Sequence, residues 1–226
     1  MDFDSTGTMS ITSTGGGKAE GVPFFHAPLP AQLVIGAACG ALNILVNQAV
    51  NLLHIPFFLD EFLVVAAAFF GWAGGLACVA VHKSLSIVLI ALTRPHTLSF
   101  VPLDSCFAIC DIAAVALVRV MFGRDRRIQS MKLLLCGVML AILISILGGG
   151  VFTILFTCFG YGEIASVRYL TMLLTSSRIP LALSSMLSRM PVNLVDKPVC
   201  VLLGYLIARL IKRLLGITKA GAPRGV

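Results

Sequence analysis

The chain has 226 residues, 58% of them hydrophobic and only 12% charged, with a mean hydropathy of +0.99. A soluble domain of this length carries about twice that charged fraction, and no buried core could absorb so many apolar side chains, so a soluble globular domain is excluded and lipid is the solvent for much of the surface. The net charge of +7 would suit a nucleic-acid binder, but the basic residues gather at the ends of apolar runs, where membrane topology places them; no nucleic-acid partner is expected.

Residues 1–28 form a polar tail rich in Gly, Ser and Thr, including Gly15-Gly16-Gly17. It lacks the basic start and apolar centre of a signal peptide and is expected to be disordered. The membrane domain follows over residues 29–216, and residues 217–226 form a basic C-terminal tail.

The first apolar segment, Ala31 to His54, is long enough to cross a hydrocarbon core of about 30 Å. Gly36/Gly40 and Ala37/Ala41 are overlapping pairs of small residues four apart, a flat strip on which another helix can approach closely. Intramolecular packing and docking of a partner subunit both fit this strip. Asn43, Asn47 and Asn51 recur every fourth residue and therefore share a face, with His54 near its outer end. Each carboxamide offers two donors and an acceptor, which lipid cannot satisfy; interhelical hydrogen bonds or a ligand can.

The loop Ile55-Pro56-Phe57-Phe58-Leu59-Asp60-Glu61 ends in two acids between apolar segments. A carboxylate facing lipid is costly, so these acids point to a polar pocket at one end of a helix bundle. Phe62 to Phe70 continues apolar, Gly71-Trp72-Ala73-Gly74-Gly75 interrupts, and Leu76 to Thr93 resumes. As one helix this stretch would exceed an ordinary crossing; a tight hairpin at the glycines gives two antiparallel helices, the first short, with a single kinked helix as the alternative. Lys83, beside His82, is expected to seek an interior counter-ion among Asp60, Glu61 and Asp111.

A polar loop from Arg94-Pro95-His96 to Asp104 leads into a fourth segment, Ser105 to Phe122, with Asp111 some two turns inside. Arg124-Asp125-Arg126-Arg127 and Lys132 form the strongest basic cluster between spans. The fifth segment, Leu133 to Phe159, contains Gly148-Gly149-Gly150, which predicts a kink or unwound turn because glycine weakens helices. Gly160 to Met190, punctuated by Arg168, Arg178 and Arg189, predicts interfacial or re-entrant helices. The last segment runs from Pro191 to Leu215, opens with Asn193, Asp196 and Lys197 as a second polar mouth, and ends in Arg209, Lys212 and Arg213.

The expected fold is all-α: a polytopic bundle of six transmembrane helices in the inner (cytoplasmic) membrane. The two basic groups share a side, which the positive-inside rule makes cytoplasmic, and both termini with it. Seven cysteines lie mostly inside apolar runs; Cys106 and Cys110 fall one turn apart, but no nearby His completes a metal site. Neither metal nor cofactor is expected. No nucleophile elbow, HExxH or P-loop is present, so the chain is not expected to be an enzyme.

Three places carry a family resemblance. Ala37-Ala38-Cys39-Gly40-Ala41 looks like an AxxxA docking motif. Leu59-Asp60-Glu61, the short apolar helix and Gly71-Trp72-Ala73-Gly74 are similar to a loop, short second helix and glycine turn. Pro191-Val192-Asn193-Leu194-Val195 is similar to the opening of a sixth helix. In this order, from Ala31 to Leu215, they resemble the substrate-binding S component of energy-coupling-factor (ECF) transporters. Trp72 stands where that family often has proline, and the Gly160 to Met190 stretch is long for it.

The resemblance implies a protein that captures a vitamin-like small molecule from outside and docks on a transmembrane coupling protein with two ATPase subunits. Gly36, Ala37, Gly40 and Ala41 are then the docking residues. Asn47, Asn51, Asp60, Glu61, Lys83, Asp111 and Asn193 are the substrate-binding candidates. A membrane sensor or assembly subunit on the same fold is the rival reading, and a facilitator without an energy module is a third.

Overall fold

A computed structural model describes residues 27–52, 61–93, 103, 105–123, 128–160 and 165–215. The N-terminal tail up to residue 26, the acidic loop up to Asp60, the Arg94-Pro95-His96 loop, the Arg124–Arg127 cluster and the tail from residue 217 lie outside them. Among the described residues there are seven α-helices and no strand. They are α1 (Leu29–Leu52), α2 (Phe62–Phe70), α3 (Trp72–Thr93), α4 (Ala108–Phe122), α5 (Ser130–Phe159), α6 (Ala165–Ser176) and α7 (Leu181–Leu214).

Three of them, α1, α3 and α5, are long and apolar enough to cross a bilayer. The radial distribution of side chains agrees with a lipid surround. Val120 and Tyr169 are each 79% exposed, whereas Asp196 and Lys197 are 1% exposed. Water would invert this arrangement; hydrocarbon favours it, because ionisable groups turn inward to one another.

Side-chain contacts establish the direction of each helix. Gly36 and Gly40 of α1 pack on Gly74 and Cys78 of α3, so these two run parallel. Against α3 runs α4, with Val115 at Gly75 and Asp111 at Lys83. Against α4 runs α5, with Lys132 over the Phe122 ring and Gly148 beside Cys110. As α5 advances from Gly137 to Gly149, its partner on α7 retreats from Pro198 to Met186. Finally, α2 lies parallel to α7, from Glu61 at Lys197 to Phe69 at Tyr205. The start of α1 and the end of α7 therefore meet the same end of the bundle.

At the centre is α2. From Leu63 to Phe70 every residue is buried, and a helix that is apolar all round belongs inside a core. Its nine residues span only about 14 Å. The break after it is the single residue Gly71, whose N–H bonds Ala68 O at 3.2 Å. The expected interruption is thus shorter than five residues: α3 starts at Trp72 and contains Gly74 and Gly75. There the missing side chains admit α2 and α4, since a Cβ on Gly75 would press on Ala68 and Val115. The C-terminal end of α2 is held from α4: Arg119 Nη1 donates to Phe69 O at 3.1 Å and to Ala68 O at 3.4 Å. A cation at a helix C-terminus answers both the orphan carbonyls and the dipole.

Two expectations are corrected. The glycine triplet does not unwind α5, which is continuous through Gly148, Gly149 and Gly150. Gly148 and Gly149 are buried, and a Cβ on Gly149 would strike the Met186 backbone at 2.9 Å; Gly149 serves close approach to α7, a common device between membrane helices. The helix ends instead at Gly160, in the left-handed region at φ 65°, its N–H bonding Leu155 O and Phe156 O. Likewise Pro191 does not open the last helix. It sits ten positions after Leu181, inside a 34-residue helix that also contains Pro198. Prolines are tolerated within such helices where neighbouring chain supports the freed backbone, and Pro198 is pressed against Gly137 of α5.

Candidate functional site

The polar interior is built mainly from one face of α7. Ser185, Arg189, Asn193 and Lys197 recur every fourth residue and all are buried, so they stack as a single stripe. At its deep end Lys197 Nζ lies 2.8 Å from Asp196 Oδ2 and 3.4 Å from Glu61 Oε2, all three residues being at most 3% exposed. Glu61 is placed there because it precedes α2, whose start faces α7. Two carboxylates on one ammonium is a high-stakes arrangement: each charge is costly to desolvate, and removing one partner costs about 3–5 kcal/mol.

One turn earlier, Asn193 Nδ2 donates to Ser145 Oγ of α5 at 2.9 Å, and Ser145 in turn donates to Ala141 O at 2.7 Å. The next residue of the stripe, Arg189, is a guanidinium between two aromatic rings, 5.9 Å from the Phe107 centroid and 5.6 Å from that of Phe152. Its Nε reaches Ser185 Oγ at 3.5 Å. Cation–π attraction strengthens where water is excluded, which suits an arginine only 6% exposed.

Lys83 of α3 pairs with Asp111 of α4 at 3.2 Å, one of the counter-ions that the sequence allowed. Glu61 goes instead to Lys197 because α2 delivers it to the α7 side. Asn43 and Asn47 bracket one imidazole: Asn43 Nδ2 lies 3.4 Å from His82 Nδ1, and Asn47 Nδ2 lies 3.5 Å from His82 Nε2. A neutral imidazole has one donor and one acceptor, so one of these carboxamides must present its oxygen. The asparagine stripe of α1 thereby meets α3. Asn51 lies in the last turn of α1, where only the backbone is described, and Asp60 lies outside the described residues.

The small-residue strip divides. A Cβ on Gly36 would collide with Gly74 O, and one on Gly40 would lie 2.6 Å from Cys78 O; both glycines are used against α3. Ala37 is half-buried and Ala41 exposed, leaving these two on the outer side.

The candidate residues thus enter interhelical contacts on α1–α3, α3–α4, α2–α7 and α5–α7. Ser145, Arg189 and Lys197 complete the set; the sequence placed Lys197 at a polar mouth without assigning it to the site, and assigned neither Ser145 nor Arg189. For Arg189 and Lys197 the signal was the spacing of four through Ser185, Arg189, Asn193 and Lys197, hidden by the expectation of a boundary at Pro191; Ser145 of α5 had none. Among the described residues no three His, Cys, Asp or Glu side chains converge as metal ligands. A separate groove of about 640 Å³ opens between α5, α6 and α7.

Compared with known proteins, the chain matches no family profile, no curated protein and no solved structure.

Proposed function

We propose that this protein is a multi-pass membrane component that binds a vitamin-like small molecule, acting as the substrate-binding part of an ECF-type importer. One observation carries the reading: Arg189, Asn193 and Lys197 of α7, with Glu61, Lys83 and Asp111, hold ionisable and polar groups inside a lipid-facing shell. Within membrane segments such groups mark solute pathways, and a few fixed polar groups in an apolar cavity orient a small ligand.

The alternating directions of the helices support α1, α2, α3, α4, α5 and α7 as the six crossings, with α2 a partial one. Lys132, Arg209, Lys212 and Arg213 then lie at the end shared by both termini, which the positive-inside rule assigns to the cytoplasm of the inner membrane. Asn47, Arg189 and Asp111 lie toward the opposite end, where solute would enter. On the lipid-facing side of α1, Ala41 and Ala37 offer the approach for a transmembrane coupling protein served by two ATPase subunits.

The test is native mass spectrometry of the full chain released gently from detergent, before and after soaking with a vitamin and nucleobase panel. A stoichiometric adduct, weakened about tenfold by Asn193→Ala, supports the reading. A clean mass throughout the panel overturns it. Ala37→Trp with Ala41→Trp is expected to spare the adduct and abolish uptake; loss of both together would remove the docking assignment.

A further inference from the structure

The groove between α5, α6 and α7 lies beside the polar interior and shares with it only the ring of Phe152, whose other partner is Arg189. It is lined by Phe152, Phe156, Arg168, Thr171, Met172, Thr175, Ser176 and Leu181. Three of these carry hydroxyls, yet each is already engaged. Thr171 Oγ1 bonds Val167 O and Ser188 Oγ, Thr175 Oγ1 bonds Thr171 O, and Ser176 Oγ bonds Leu173 O. Their methyl and methylene surfaces are what the groove presents. Phe152 and Phe156, tilted with centroids 5.7 Å apart, form the facing wall. The walls are hydrocarbon-like, with the exposed Arg168 the one charged residue among them.

Depth in the bilayer identifies the occupant. With 30 residues, α5 is about 45 Å long, against about 30 Å for the hydrocarbon core, so its last turns lie at the headgroup boundary. Phe156 is in the last turn before Phe159, and the groove lies there with it. Twelve-residue α6 is too short to cross and buries Val167 and Thr171 against α7 while exposing Tyr169, Met172 and Leu173.

We propose that this groove holds one acyl chain of an anionic phospholipid from the surrounding bilayer, with the headgroup phosphate on the guanidinium of Arg168. The apolar walls match the chain, and the five-donor planar cation of Arg168 among them matches a phosphate and can serve it alongside a protein partner. This site is independent of the solute reading and requires only that the helices lie in a bilayer.

The experiment is native mass spectrometry of the full chain with phosphatidylglycerol or phosphatidylcholine of identical acyl chains. The wild type is expected to retain phosphatidylglycerol about fivefold better, the size of one basic residue's attraction to an anionic surface. Arg168→Gln should equalise the two lipids, Thr175→Phe should reduce both, and Arg178→Gln should leave the preference intact. Circular dichroism and gel filtration establish that each variant is folded. Equal retention by the wild type, a preference surviving Arg168→Gln, retention undiminished by Thr175→Phe, or the same loss in Arg178→Gln would overturn the site. The vitamin panel reads a different mass, so either proposal can fail alone.

Discussion

Helices α2 and α6 have nine and twelve residues, and neither reaches across a hydrocarbon core of about 30 Å. Their fates are opposite. Every residue of α2 from Leu63 to Phe70 is buried among α1, α3, α4 and α7, and both its ends are tied, by Glu61 to Lys197 and by Arg119 to the Phe69 carbonyl. By contrast α6 packs on α7 along one side, through Val167 and Thr171, and leaves Tyr169 and Met172 outside. A short helix is thus placed by its circumference rather than its length. One that is apolar all round needs protein on every side, and one with a single apolar-and-small face needs only a neighbour.

The largest test of that contrast is Lys197→Ala. It leaves Glu61 and Asp196 buried without their shared ammonium, and the expected loss is about 3–5 kcal/mol, read as a lowered unfolding midpoint in detergent. A loss below about 1 kcal/mol would mean that the start of α2 is not held by charge.

Next in size is a matched pair of truncations. Leu63→Ala in α2, at 1% exposure, should cost about 2–4 kcal/mol. Leu173→Ala in α6, at 52% exposure, should stay within about 0.5 kcal/mol. Equal costs in the same unfolding assay would erase the distinction between the two helices.

The smallest effect is a gain. Arg178 follows α6 with φ 64°, and Ile179 N–H bonds Leu174 O at 3.3 Å, closing a turn that glycine enters without strain. Arg178→Gly is therefore expected to stabilise by about 1 kcal/mol. An unchanged or lower midpoint would show that the arginine side chain holds this turn.

Local features were legible in proportion to how local their cause is. Phe62 to Phe70 is bounded correctly because acids precede it and a glycine follows, and both act on adjacent backbone. The end of α5 at Phe159 is equally plain, since Gly160 caps it in the left-handed region. The glycine triplet and Pro191 misled for the reverse reason. Each weakens a helix in isolation, but Gly148 and Gly149 are compensated by contact with α7, and α7 continues through Pro191 to present its polar stripe. Reading Pro191 as a start cut that stripe in two and hid Arg189, although a spacing of four was there to be counted.

The amino-acid sequence by itself determined the helical class, the lipid surround and which residues must avoid lipid, because hydropathy, glycine caps and charge cost act residue by residue. Only the tertiary structure decided the partners: Lys83 with Asp111, Glu61 with Lys197, Asn47 with His82, and Gly36 and Gly40 against α3. Several acids and amides were equally able to satisfy each buried group. Helix direction and close approach, set by packing between segments distant in the chain, selected among them.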